Sequence, residues 1–124
     1  MLIDDSEADL LYTQIVLERS GLAAEVLPFE EGEQALQALR SGTAGQVDLI
    51  LLDINMPRMD GFEFLDAYEA LEAARRAGAV VVMLTSSPDP ADRERALGYP
   101  CVKGYAVKPL DLESARDLAR YVGG

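Results

Sequence analysis

The sequence predicts an α/β fold in which helices cover both faces of a parallel sheet. Short apolar runs alternate with longer amphipathic segments along the chain of 124 residues. Two of the runs, 49–52 and 79–84, are apolar at every position, which is typical of strands that are buried on both faces. Strands that are connected through helical segments run parallel to one another. The length suits one domain, which we expect to span residues 1–124.

Five strands and five helices are predicted from this alternation. The strands are expected at residues 2–3, 25–29, 48–53, 79–84 and 104–107. The helices are expected at residues 6–20, 31–40, 62–76, 89–98 and 112–122. Pro28 lies in the second strand, and because proline cannot donate a ladder hydrogen bond, this strand is expected at an edge of the sheet.

The first helix has recognisable ends and a candidate buried face. Asp5 or Ser6 can cap its start, and Gly21 ends it. Helical spacing predicts four residues on its inward face: Ala8, Leu11, Ile15 and, on the flank, Leu22.

The composition argues against several classes of function. The net charge of −11 would repel phosphate backbones, so direct binding of nucleic acid is not expected. The chain has no histidine, which excludes a histidine-dependent nucleophilic site and a histidine-ligated zinc. A hard metal would need oxygen ligands, as Mg²⁺ or Ca²⁺ does. Cys101 has no disulfide partner and no apolar run is long enough to span a membrane, so we expect a cytoplasmic protein.

Polar residues follow or end four of the predicted strands. In chain order they are Asp4 and Asp5, Asp53, Thr85, and Lys108. Because the carboxyl ends of parallel strands meet at one edge of a sheet, we expect these side chains to lie close together. Neighbouring carboxylates repel one another and need counterions, which Mg²⁺ and Lys108 would supply. Such a site suits a phosphoryl group, with Asp53 as the candidate nucleophile and the acidic pair as metal ligands.

In this order and spacing, the motifs resemble the receiver domain of two-component response regulators. The motifs are the acidic pair Asp4-Asp5, the stretch LLDINMPRMDG with Asp53, the LTS stretch with Thr85, and Tyr105-x-x-Lys108-Pro109. The match runs nearly from end to end of the chain. The resemblance implies a doubly wound, flavodoxin-like, five-stranded parallel sheet with strand order 2-1-3-4-5 and five flanking helices.

The resemblance also implies a phosphoacceptor and a magnesium site. Asp53 looks like the phosphoacceptor. Asp5 looks like a direct Mg²⁺ ligand and Asp4 like an assisting one. Asn55 matches the position whose backbone carbonyl completes the metal site, and Gly61 matches the turn glycine of the loop after the phosphoacceptor.

Three further positions match residues that respond to the phosphoryl group in this family. Lys108 looks like the lysine that contacts this group, and the bond to the following proline is often cis. Thr85 matches the hydroxyl that moves toward the phosphoryl group, and Tyr105 matches the aromatic residue whose rotamer follows. Tyr105 also fits the simpler interpretation of a half-buried packing residue.

The function that this resemblance implies is signal transfer and not enzymatic turnover. A sensor histidine kinase or histidine phosphotransfer protein would donate the phosphoryl group, and a downstream protein of unknown identity would receive the signal by contact. A monomer or a phosphorylation-dependent dimer is expected. Two alternatives stay open: a pseudo-receiver that only binds a partner, and a magnesium-dependent phosphohydrolase with an aspartyl nucleophile. The hydrolase resembled here has a second aspartate two positions after the nucleophile, where this chain has Asn55.

Two features depart from the family pattern. Only three residues precede the acidic pair, so the first strand is short. Tyr99-Pro100-Cys101 replaces the more common glycine-alanine exit from the fourth helix, and prolines at its start are expected to shorten that helix.

Overall fold

A single parallel sheet organises the computed structural model of this protein, which describes residues 1–21, 25–71, 79–86 and 89–121. Its strands are β1 Leu2–Ile3, β2 Pro28–Phe29, β3 Leu49–Asp53, β4 Val80–Thr85 and β5 Val102–Val107. They pair in the order β2-β1-β3-β4-β5, and every pair is parallel. The predicted fold class and strand order are confirmed, and the strand with Pro28 lies at an edge.

Helices connect the strands as the alternation predicts. Those described are α1 Glu7–Arg19, α2 Gly32–Ser41, α3 Gly61–Glu69, α4 Pro90–Leu97 and α5 Leu112–Asp117. The last helix is shorter than predicted because the chain continues as a 3₁₀ turn over Leu118–Tyr121. Leu22, residues 72–76 of the third predicted helix and residue 122 of the last lie outside the described residues. None of the helices in the described part of the chain is long and apolar enough to cross a membrane.

Side-chain caps determine where α1 and α3, the helices that follow β1 and β3, begin. The Ser6 hydroxyl accepts a hydrogen bond from the Asp9 backbone N–H at 3.3 Å, so α1 begins directly after the acidic pair. At the start of α3, Asp60 accepts from the Glu63 N–H at 2.8 Å, and the Glu63 side chain accepts from the Asp60 N–H at 3.3 Å. The Ser6 cap therefore ends the short connection after β1, and the Asp60 cap ends the loop that follows Asp53.

The core has two parts, one on each face of the sheet. Successive residues of a strand point to opposite faces. In β3, Ile50 and Leu52 therefore pack with residues of α2 and α3, whereas Leu51 packs with residues of α1 and α5. Both faces are thus covered, as the continuous apolar runs predict.

The predicted inward face of α1 is wrong. Its buried residues are Leu10, Thr13, Val16 and Leu17, whereas Leu11 is 59% exposed and Ile15 is 39% exposed. Ala8 is exposed as well. This helix carries apolar side chains around most of its circumference, so more than one stripe fits the helical spacing, and only packing against the sheet selects one of them.

The unusual segment after α4 attaches that helix to α3. The Tyr99 hydroxyl donates a hydrogen bond to Asp66 Oδ1 at 2.8 Å, and the Tyr99 ring stacks on Phe62 with ring centroids 6.4 Å apart. The Arg95 guanidinium lies 4.1 Å from the centroid of the same Phe62 ring. The departure from the family pattern therefore supplies a contact between α3 and the end of α4.

Candidate functional site

The carboxyl ends of four adjacent strands bring the predicted polar residues together. Asp4 follows β1, Asp53 ends β3, Thr85 ends β4 and Lys108 follows β5. The register pairs Asp53 with Leu84, one residue before Thr85. The Lys108 N–H donates to the Thr85 carbonyl at 2.8 Å, which places the lysine beside the end of β4. The expected convergence at one sheet edge is therefore present.

The Lys108 ammonium lies among three carboxylates. Its Nζ is 2.6 Å from Asp4 Oδ2, 3.1 Å from Asp9 Oδ2 and 3.5 Å from Asp53 Oδ2. The side chains of Asp4 and Asp53 are 1% and 5% exposed, and that of Lys108 is 10% exposed. A buried carboxylate without a cation is unfavourable, so Lys108 compensates charges that the sheet edge removes from water.

Backbone N–H groups orient the two buried carboxylates. Asp4 Oδ1 accepts from the Ser6 N–H at 3.0 Å, which leaves Oδ2 directed at Lys108. Asp53 Oδ1 accepts from the Asn55 N–H at 3.4 Å, and Asp53 Oδ2 is the atom nearest to Lys108. Each carboxylate therefore has one oxygen held by the backbone and one facing the lysine.

Asp4, Asp5 and Asp53 form an acidic cluster that fits a hard divalent cation. Each of them offers one carboxylate oxygen, and these oxygens lie within 4.8 Å of one another. Asp5 is exposed while the other two are buried, so the cluster is open to solvent on the Asp5 side. Carboxylate oxygens of this kind are typical ligands of Mg²⁺. The role of the Asn55 carbonyl as a further ligand stays a prediction.

Burial is the main influence on the charge state of the site. It raises the pKa of Asp53 from 3.8 to about 7; the Lys108 ammonium opposes this rise and the Asp4 carboxylate adds to it. Burial alone would lower the pKa of Lys108, but the close ion pair with Asp4 and the charge of Asp53 raise it above its ordinary value. The lysine is therefore held in its charged form, and the ionised form of Asp53 is unfavourable without further positive charge.

Gly61 is required by a close approach and not by a positive φ angle. A Cβ at this position would lie 2.8 Å from the Asp53 carbonyl oxygen and 2.9 Å from the Ile54 Cα. The Gly61 N–H also donates to the Ile54 carbonyl at 2.8 Å. The start of α3 therefore packs directly against the backbone that carries Asp53.

We expect Gly61→Ala to lower the free energy of unfolding by about 1–3 kcal/mol, since the added methyl group meets backbone that cannot rotate away. Urea denaturation of both proteins measures this change. Gly98→Ala is the control, because a Cβ there meets backbone oxygens only at 3.2 and 3.8 Å and should lower the stability less. An equal effect of the two substitutions would contradict the packing explanation.

The two residues predicted to respond to phosphorylation lie near the same edge, but the structure assigns them no role. Thr85 is 1% exposed at the end of β4. The Tyr105 hydroxyl is buried, and it has no hydrogen-bond partner in the described part of the chain. The Tyr105 ring lines a surface cavity of about 410 Å³ next to α4. The switch role of this pair stays a prediction.

Sequence reasoning missed one residue that touches the site. Asp9 lies in the first turn of α1 and accepts from Lys108 Nζ at 3.1 Å. It lies within α1 and not at a strand end, and Asp5 precedes that helix, so no sequence spacing indicated that Asp9 reaches the site. The peptide bond between Lys108 and Pro109 is cis.

Comparison with models of known protein families shows the family of this chain. The family model of the response regulator receiver domain matches residues 1–120. The chain belongs to this family. The resemblance that the motifs indicate is therefore confirmed, and the receiver domain places this chain in two-component signalling.

Individual relatives agree with this assignment. The sensor protein GacS of Pseudomonas syringae pv. syringae is 34% identical over 122 residues, which cover 98% of this chain and 13% of GacS. The probable methanogenesis regulatory protein FilR2 of Methanothrix harundinacea is 33% identical over 125 residues, covering 98% of this chain and 77% of FilR2. The crystal structure of a response regulator receiver protein from Dyadobacter fermentans DSM 18053 has a TM-score of 0.84 at 36% identity, covering 97% of this chain and 94% of that chain. The receiver domain thus spans a small part of GacS and most of FilR2.

Proposed function

We propose that this receiver domain accepts a phosphoryl group on Asp53 from the phosphohistidine of a sensor histidine kinase or a histidine phosphotransfer protein. The arrangement around Asp53 carries this proposal. A carboxylate that is 5% exposed has a lysine ammonium 3.5 Å away and belongs to a cluster of three acids at the edge of the sheet. Phosphoryl transfer depends mainly on such positioning and charge compensation.

In the transfer step, an oxygen of ionised Asp53 forms a bond to phosphorus while the bond between phosphorus and the donor's imidazole nitrogen breaks. The electron pair of the broken bond stays on that nitrogen. Asp53 Oδ2 is the oxygen nearest to Lys108 Nζ, so the ammonium is placed to bind an oxygen of the incoming phosphoryl group. Lys108 also favours the ionised form of Asp53 that this step requires.

Asp4, Asp5, Asp53 and the Asn55 carbonyl would hold Mg²⁺, which would neutralise charge on the phosphoryl oxygens. Asp5 is the exposed member of the cluster and would meet an ion arriving from solvent.

The signal would then leave by contact with another protein. Phosphorylation would shift an existing equilibrium between two conformations, in which Thr85 and Tyr105 take part. We propose that residues 1–124 form one receiver domain that acts in this way, without binding nucleic acid and without turning over a substrate of its own.

Intact mass after incubation with acetyl phosphate tests the proposal. We expect one labile phosphate per chain when Mg²⁺ is present and none after chelation. Asp53→Asn should abolish this adduct. Asp48→Asn is the control, since Asp48 is an exposed acid just before the opposite end of β3.

Two results would overturn the proposal. A folded sample that binds Mg²⁺ and takes up no phosphate would favour a module that only binds a partner. Rapid hydrolysis of unrelated phosphate esters would favour a phosphohydrolase.

A further inference from the structure

In the unphosphorylated protein, Lys108 is closer to two other carboxylates than to Asp53, the acid that it is expected to assist. Lys108 Nζ lies 2.6 Å from Asp4 and 3.1 Å from Asp9, compared with 3.5 Å from Asp53. We propose that Asp9 is a positioning residue that holds the Lys108 ammonium toward α1 and competes for it with the phosphoryl group on Asp53. This inference rests on the proposed function.

Asp9 differs from the other two carboxylates in its relation to the metal. Asp4 and Asp53 belong to the cluster that fits a divalent cation, and Asp9 does not. A cation in the cluster would share the charges of Asp4 and Asp53 and so weaken their attraction for Lys108. The charge of Asp9 would remain available to Lys108. Asp9 would therefore still compete with the phosphoryl group for the lysine when a cation occupies the cluster.

The local structure holds Asp9 in place and leaves space beside the lysine. The Asp9 N–H donates to the Ser6 hydroxyl, so the backbone of Asp9 is fixed by the helix cap. A cleft of about 210 Å³ is lined by Asp9, Tyr12, Thr13, Ser86, Lys108 and Pro109. The Asp9 side chain is 48% exposed at this cleft, whereas that of Lys108 is 10% exposed. The ammonium therefore has room on the α1 side and an anion there to hold it.

Loss of the Asp9 charge should make Lys108 more available to the phosphoryl group. We expect Asp9→Asn to accelerate phosphorylation by acetyl phosphate about threefold to fivefold, which corresponds to removing one half-exposed ion pair. Glu7→Gln is the matched control, because Glu7 is also an acid in the first turn of α1 and forms no ion pair with any described residue. It removes the same net charge and should change the rate by less than about twofold.

A spectroscopic measurement tests the contact without any phosphorylation. The chain contains two lysines, Lys103 and Lys108, so protein labelled with ¹³C and ¹⁵N in lysine gives one buried and one exposed side-chain signal. In metal-free protein, Asp9→Asn should shift the ammonium and Cε resonances of Lys108 and speed the exchange of its ammonium protons. The Lys103 signals should not move, and Glu7→Gln should leave both lysines unchanged. Asp9→Glu, which keeps the charge, should retain the slow phosphorylation of the unaltered protein.

The proposal is overturned if Asp9→Asn leaves the Lys108 resonances in place, or if its phosphorylation rate equals that of Glu7→Gln. If the unaltered protein accepts no phosphate, the proposed function fails by itself. The competition then fails with it, while the lysine spectra still report whether Asp9 holds Lys108.

Discussion

Replacing Lys108 by alanine is expected to lower the free energy of unfolding by about 3–5 kcal/mol in metal-free buffer at a pH above 7. The ammonium lies 2.6 Å from Asp4 and 3.5 Å from Asp53, and both carboxylates are almost completely buried. Without it, Asp53 must either stay charged beside Asp4 or take up a proton above its ordinary pKa, and both lower the free energy of unfolding. Urea denaturation in the presence of a chelator measures the loss.

Addition of Mg²⁺ should recover part of this stability, since the acidic cluster fits a divalent cation that could replace the missing charge. Lys103→Ala is the control because Lys103 is an exposed residue of the same strand, β5, and its loss should change the stability by no more than about 0.5 kcal/mol. If the two substitutions had equal effects, Lys108 would not be compensating the buried acids.

The second large effect concerns pH. In metal-free buffer, Asp53 should cause the protein to lose stability as the pH rises from about 4 to about 7. Burial raises the pKa of Asp53 in the folded protein from 3.8 to about 7, so the folded state binds this proton more tightly than the unfolded state does. Below this interval the carboxyl is protonated in both states. Above it the folded state bears the full cost of the buried charge, which we expect to be about 2–4 kcal/mol.

Asp53→Asn isolates this contribution, because the amide stays neutral throughout. The variant should match the unaltered protein near pH 4 and be more stable above pH 7, as measured by urea denaturation across the pH range. Asp117→Asn, which removes an exposed carboxylate on α5, should show no comparable dependence. A stability difference between Asp53→Asn and the unaltered protein that is the same at every pH would contradict the assigned cause.

Sequence patterns predicted those structural features that depend on residues close together in the sequence. β3 was predictable because a continuous apolar run ends abruptly in Asp53, and α2 because its apolar residues form a single stripe. The buried face of α1 was not predictable, since Leu11 and Leu10 are equally apolar and only the sheet decides between them. Strand ends also indicated most of the acidic site, because parallel strands share one edge.

Contacts between distant parts of the chain were beyond these patterns. The pairing of Asp9 with Lys108 depends on how α1 is rotated over the end of β5, which no local spacing determines. The stacking of Tyr99 on Phe62 similarly depends on the path of the chain after α4. In the sequence, Asp9 and Tyr99 each resemble an ordinary surface position.

The position of Lys108 after the last strand also bears on how the protein folds. Its partner Asp9 is 99 residues away along the chain, and β5 lies at the edge of the sheet. Until β5 pairs with β4, the carboxylates at the ends of β1 and β3 lie next to one another with no ammonium between them. Contacts of such high sequence separation are slow to form. We therefore expect the site to close late in folding, so that a ribosome-bound chain that has not yet released β5 would carry the acids of the site without Lys108.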